Sequence, residues 1–134
     1  MCGVAGLIGP PQQTSTLMRP MLDVITHRGP DDSGEFIGAD FAFGMRRLSI
    51  IDIEGGHQPM WTADGRFAIV FNGEIYNFRA LRASLEAMGH RFATATDTEV
   101  VVHGYEEFGP SIFERLNGMF AIAIYDEQDD QLVL

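Results

Sequence analysis

A single cysteine in 134 residues, Cys2, leaves no partner for an intrachain disulfide. That fits a reducing compartment, and the cytoplasm is the default location. Basic residues are scarce, nine against nineteen acidic, for a net charge of −10. A chain of that balance lacks the clustered Lys and Arg that nucleic acid demands, and it would be repelled by an anionic membrane surface. Long apolar runs are absent as well. The apolar opening, Cys2 to Ile8, follows no positive charge and is far too short to span a bilayer, so no targeting segment is read there. His27, His57, His90 and His103 lack metal-ligand spacing and stand far from the cysteine. No metal site is expected from them. No phosphate-cradling glycine loop occurs, which excludes a nucleotide site of that kind in this chain.

What is present suits one globular domain. Hydrophobic residues make up 46% and charged residues 21%, enough apolar material for a real core. The acidic clusters at Asp31-Asp32, Glu106-Glu107 and 126–130 read as solvated surface. Small apolar residues at 2–9 predict a buried strand. Residues 14–26 predict a helix with Leu17, Met21 and Ile25 on one face and Met18 and Leu22 beside them, capped by Ser15 or Thr16. Strands are expected at 34–38 and 41–51, then a Gly/His/Pro loop at 55–60 and a strand at 67–71 with two apolar faces. Residues 78–88 form the clearest helix, with Phe78, Leu81, Leu85 and Met88 in one stripe, Asn77 as cap and Gly89 as stop. A second helix at 97–108 has capping-box spacing between Thr96 and Glu99, and a short helix at 111–116 is expected after it. A strand at 118–125, a polar turn at 126–130 and a returning strand from Gln131 complete the chain. Because it stops inside an apolar run, truncation is expected. Strands apolar on both faces, with helices grouped apart, predict sheets inside and helices outside.

Position 2 is an unusual place for a structural cysteine. Once Met1 is removed, the residue carries a thiol and its own α-amino group, with reference pKa values of about 8.5 and about 7.7–8.0. Proton transfer between them is then easy, the self-activation used by N-terminal nucleophiles. A buried core cysteine is the plainer reading. A thiolate attacking a carbonyl also requires fixed donors for the oxyanion. Asn72-Gly73, at a strand end, can offer a side-chain amide and a backbone N–H. The competing reading is a tight Asn-Gly hairpin.

Six segments occur in order: Met-Cys-Gly-Val-Ala-Gly at the start, His27-Arg28-Gly29-Pro30-Asp31-Asp32, Arg47-Leu48-Ser49-Ile50-Ile51-Asp52, Phe71-Asn72-Gly73-Glu74-Ile75-Tyr76-Asn77, Thr96-Asp97-Thr98-Glu99, and Leu116-Asn117-Gly118-Met119-Phe120-Ala121. Together they resemble the class II glutamine amidotransferases over nearly the whole chain. The second and third segments are more similar to the glutaminase domain of asparagine synthetases than to the hexosamine or purine enzymes. The resemblance implies an α+β fold, the four-layer αββα sandwich of N-terminal nucleophile (Ntn) hydrolases, incomplete at its C-terminus. It implies that residues 1–134 are a truncated glutaminase domain without the synthetase domain.

Glutamine, the implied substrate, carries an α-carboxylate suited to an arginine fork and an α-ammonium suited to a carboxylate. Arg28, Arg46 and Arg47 are candidates for the first, Glu74 and Asp97 for the second. Asp97 could equally be an acidic residue favoured in the first turn of a helix. The resemblance assigns Cys2 as nucleophile, Asn72 and Gly73 as oxyanion hole, and Arg47 to the carboxylate. It assigns Glu74 and Asp97 to the ammonium, with Leu48 and Ile50 lining the pocket. It implies no cofactor here, ATP and Mg being expected only in the missing synthetase domain, which would use the ammonia to convert aspartate to asparagine. The implied partners are L-glutamine and that synthetase domain; a homodimer is compatible. Two alternatives stay open: a related amidotransferase with another ammonia acceptor, and a non-catalytic homologue that binds glutamine or a partner. Retained Met1 would deny Cys2 its free amine and would favour the second.

Overall fold

Alternation along the strands decides which side chains meet which layer. The computed structural model describes residues 2–48 and 55–134. Strands β1 (Gly3–Ile8), β2 (Asp32–Ile37) and β3 (Phe41–Arg47) form an antiparallel sheet in the order β1-β3-β2. Strands β4 (Met60–Trp61), β5 (Phe67–Ile75), β6 (Gly118–Asp126) and β7 (Gln131–Val133) form a second, in the order β4-β5-β6-β7. Phe41, Phe43 and Met45 of β3 face Ala68 and Val70 of β5 and Ala123 and Tyr125 of β6, which makes the inter-sheet core. The opposite parity of the first sheet, Ala5, Leu7 and Ala42, packs on Met18 and Leu22 of helix α1 (Pro11–Val24). The opposite parity of the second sheet, Phe67, Ile69, Phe71 and Ile75, packs on Val101, Val102 and Tyr105 of helix α3 (Asp97–Phe108), with Phe78 and Leu81 of helix α2 (Phe78–Ala87) against the same cluster. The layers are therefore α1, sheet, sheet, α2 with α3, an α+β sandwich of αββα type.

Several elements differ from the sequence expectation. Helix α1 starts at Pro11, not near residue 14, because Pro10-Pro11 puts a proline at the first helical positions, where its missing N–H costs nothing. Ser15 and Thr16 are thus inside the helix. Their hydroxyls donate back to the carbonyls of Pro11 (2.8 Å) and Gln12 (2.6 Å) instead of capping, and Pro20 is interior. The buried line is Thr14, Met18 and Leu22, while Leu17 is 40% exposed. Strand β2 begins two residues early, since Asp32 pairs with Arg47 at the end of β3. Residues 49–51 of the expected strand lie outside the described residues. Residues 109–115 form a 3-10 helix.

Asn77 does not cap α2 through its side chain. Its Nδ2 donates to the Arg115 carbonyl and its Oδ1 accepts from the Asn117 N–H, both at 2.9 Å. It clamps the entry of β6 against the start of α2. Met88 is 53% exposed, so the α2 stripe is anchored by Leu85, which is fully buried. Thr96 does cap α3, its hydroxyl accepting the Glu99 N–H at 3.2 Å, a bond worth about 1 kcal/mol. The Glu99 carboxylate does not complete the capping box. It accepts the N–H groups of Ala93 and Thr94, both at 2.7 Å, and so fastens the segment leading into α3. Among the described residues no helix is long and apolar enough to cross a membrane.

Candidate active site

Strand parity also builds the site. Cys2 shares the parity of Val4 and joins the inter-sheet cluster. Continued by one residue, the β1–β3 register, Gly3 opposite Arg46, sets Cys2 across from Arg47. Arg47 has the parity of Met45 and faces the same layer, where it is only 5% exposed. Arg46 has the other parity. Its guanidinium goes to α1, donating to the Leu22 carbonyl (3.0 Å) and pairing with Asp23 (2.6 Å). Arg28 is at the surface and donates to the Cys2 carbonyl at 3.3 Å. Of the three arginines considered for the substrate carboxylate, Arg47 is the one that lines the cavity.

That cavity, of about 150 Å³, opens where β1 begins, β3 and β5 end, and α3 begins. Cys2, Arg47, Leu48, Asn72, Gly73, Glu74 and Asp97 all line it. These are seven of the eight residues expected from the sequence. The eighth, Ile50, lies outside the described residues. The Leu48 backbone meets the thiol twice. Its N–H donates to Sγ at 3.4 Å, and its carbonyl lies 3.7 Å from Sγ as acceptor. The two contacts fix the position of Sγ at the cavity wall.

Asn72-Gly73 is neither a hairpin nor the residue pair after a strand end. Strand β5 runs on to Ile75, with Asn72 opposite Ala121 and Gly73 opposite Phe120. Extended backbone gives Asn72 the parity of Ala68 and Val70, and so turns its amide to the inter-sheet side with Cys2. At Gly73 a Cβ would overlap the Met119 carbonyl oxygen and crowd the Phe120 Cα at 2.7 Å. Glycine lets β6 approach while the strand stays straight through the cavity wall.

Asp97 is 6% exposed and accepts the Ile75 N–H at 3.0 Å. Burial pushes its pKa above the ordinary value, and the nearby Glu74 charge adds to this, against hydrogen bonds from backbone N–H groups that pull it down. A buried carboxylate with an acidic neighbour is a ready seat for a cation.

Sequence reasoning missed part of the wall: Gly56, Gln58, Phe71, Thr96, Thr98 and Met119. Gln58 is the most informative. It is buried, its Oε1 accepts the Phe71 N–H at 2.7 Å, and its Nε2 donates to the Thr98 hydroxyl at 3.3 Å. It ties the 55–60 loop to β5 and to the first turn of α3. The signal was a glutamine beside the Gly-Gly-His loop, a weak one because glutamine is ordinary in loops. At Gly34 a Cβ would overlap the Gln58 carbonyl oxygen, so β2 leaves room for this loop to cross it.

Two face-to-face antiparallel sheets between helix layers, with a cavity at one end of their interface, form an αββα sandwich that two solved structures share. Glutamine phosphoribosylpyrophosphate amidotransferase from B. subtilis superposes with a TM-score of 0.66 at 22% identity, over 94% of this chain and 35% of that one. An allosteric regulatory enzyme of purine biosynthesis gives 0.72 at 22% identity, over 95% and 36%.

The chain belongs to the glutamine amidotransferase domain family, which it matches over residues 1–134. Glutamine-hydrolyzing asparagine synthetase 2 of Bacillus subtilis (strain 168) is 43% identical over 100% of this chain and 18% of its own length. Glutamine-hydrolyzing asparagine synthetase 3 of Arabidopsis thaliana is 36% identical over 99% and 23%. The chain is thus homologous to the amidotransferase part of these proteins and spans about a fifth of their length.

Proposed function

We propose that this domain hydrolyses L-glutamine to glutamate and ammonia with Cys2 as nucleophile. We further propose that the ammonia serves asparagine synthesis in a longer protein. What supports the reading is one observation: Cys2, Asn72, Gly73, Arg47, Glu74 and Asp97, from four separate segments, border a single cavity.

The α-amino group of Cys2, freed by loss of Met1, takes the thiol proton. The Leu48 N–H holds the thiolate. Sulfur attacks the side-chain carbonyl carbon of glutamine and a C–S bond forms. The carbonyl electrons move to oxygen, where the Asn72 amide and the Gly73 N–H donate to the oxyanion. The tetrahedral species collapses, the C–N bond breaks, and ammonia leaves with a proton returned by the amine. Water then attacks the thioester, releasing glutamate and restoring the thiol. Arg47 holds the substrate carboxylate, Asp97 and Glu74 hold its ammonium, and Leu48 lines the pocket. ATP, Mg and aspartate are assigned to chain outside residues 1–134. The lone reduced thiol suits a cytoplasmic setting.

Glutaminase assays on Cys2→Ala and Asn72→Ala test the reading. Cys2→Ala should abolish ammonia release. Asn72→Ala should lower kcat by about 100- to 1,000-fold with little change in KM, the usual effect of losing one oxyanion donor. Undiminished hydrolysis by Cys2→Ala would end it.

A further inference from the structure

Away from the cavity, the fold brings together two histidines thirteen residues apart that sequence spacing does not read as a ligand pair. His90 follows α2, and His103 and Glu106 are one turn apart on α3. His90 Nδ1 lies 3.6 Å and His103 Nδ1 3.0 Å from the same oxygen, Glu106 Oε2. A ligating atom from each of the three residues lies within 4.8 Å of the others. Four ligands placed tetrahedrally at about 2.0–2.1 Å from a zinc ion stand roughly 3.3 Å apart. The separations from the Glu106 oxygen bracket that value.

The far side of each ring also faces a carboxylate. His90 Nε2 is 2.9 Å from Glu107 Oε2, and His103 Nε2 is 3.6 Å from Glu99 Oε1. Each imidazole therefore has one nitrogen turned to the shared glutamate; the other is hydrogen-bonded to Glu107 in His90 and stands near Glu99, beyond hydrogen-bond distance, in His103. On His90 the Glu107 carboxylate at Nε2 favours the tautomer that leaves the Nδ1 lone pair free for a metal. Phe92 packs edge-on to the His103 ring at 5.0 Å and limits its rotation. His103 is buried, His90 is half-buried and Glu106 is exposed, so the site is walled on one side and open to water on the other.

We propose that His90, His103 and Glu106 bind one divalent transition-metal ion of zinc type, with water as the fourth ligand. Two imidazoles and a carboxylate suit zinc or cobalt over the oxygen-seeking magnesium and calcium. Bound metal would pin the segment after α2 to the middle of α3. Through Glu99, which also holds Ala93 and Thr94, it would brace the approach to the Thr96–Thr98 wall of the cavity.

The test uses chelator-stripped protein in a Cys2→Ala background, so that the thiol cannot contribute. Calorimetric titration with zinc chloride should give one equivalent bound, with a concentration-dependent rise in Tm. Cobalt should give the visible absorption of a tetrahedral nitrogen–oxygen site. His90→Ala and Glu106→Gln should each weaken zinc about 100-fold or more, and Glu107→Gln by about 10-fold. His57→Ala, which removes an exposed histidine paired with Asp32, should leave binding unchanged. Absence of one-equivalent binding to the unsubstituted cluster, or binding that persists in a folded Glu106→Gln protein, would overturn the proposal.

Discussion

Asp97→Asn separates a substrate role from a structural one. Asp97 is 6% exposed, and burial raises its pKa with Glu74 adding to the effect. A folded-state pKa above the unfolded value means the native protein holds this proton more tightly than the unfolded chain does. Ionising Asp97 therefore costs native stability. That cost is absent below the ordinary value of 3.8 and reaches its full size above the raised pKa. Asparagine keeps an oxygen for the Ile75 N–H and removes the charge, at the loss of an acceptor for backbone N–H groups at the start of α3. The two changes oppose each other, and stability at pH 7 should move by no more than about 1 kcal/mol. Relative to the variant, the parent should lose stability as pH rises from 3.8 through the raised pKa.

Binding should behave in the opposite way. Removing the charge forfeits a charge-assisted hydrogen bond to the glutamine ammonium, worth about 1.5–3 kcal/mol. KM should rise roughly 10- to 150-fold. In the parent, glutamine affinity should climb with pH across the Asp97 range, and in Asp97→Asn it should stay flat there. Urea unfolding at several pH values and steady-state ammonia release would measure both. Parallel stability curves for the two proteins, with unchanged KM, would refute the reasoning.

Gly34→Ala should shift the loop that carries Gln58, since its Cβ would overlap the Gln58 carbonyl oxygen. Overpacking of this kind costs about 1–3 kcal/mol, and a melting curve together with a fall in kcat/KM would register it. Asn77→Ala removes the two 2.9 Å bonds that join α2 to the entry of β6. It should cost about 1–3 kcal/mol in urea unfolding while leaving KM near the parent value, because Asn77 does not border the cavity.

Much of the architecture was legible because alternation and capping are local. Helix α3 starts where Thr96 and Glu99 indicate, and the apolar strands lie between the helix layers as two-faced strands must. The errors came where tertiary packing overrides a local signal. Asn72-Gly73 has the composition of a turn, yet its ladder with β6 carries β5 on to Ile75. Leu17 fits the helical period, but the sheet beneath α1 is met by Thr14, Met18 and Leu22. Asn77 has the residue type of a cap and instead bridges to chain forty residues away. Seven of the residues that border the cavity were legible because they fall in recognisable segments. Gln58 lies outside those segments and was not legible, since its contribution comes from position alone. The choice among Arg28, Arg46 and Arg47 became clear only with strand parity, which sends Arg46 to α1 and Arg47 to the cavity.

The central claim is a nucleophilic Cys2 in a formed glutamine pocket. Intact-mass measurement before and after exposure to a glutamine-shaped diazoketone, with Cys2→Ala alongside, tests it most directly. The account predicts loss of Met1 and a single adduct that Cys2→Ala abolishes and excess glutamine slows. A chain that sheds Met1 and stays unlabelled, or that is labelled equally well without Cys2, would contradict it.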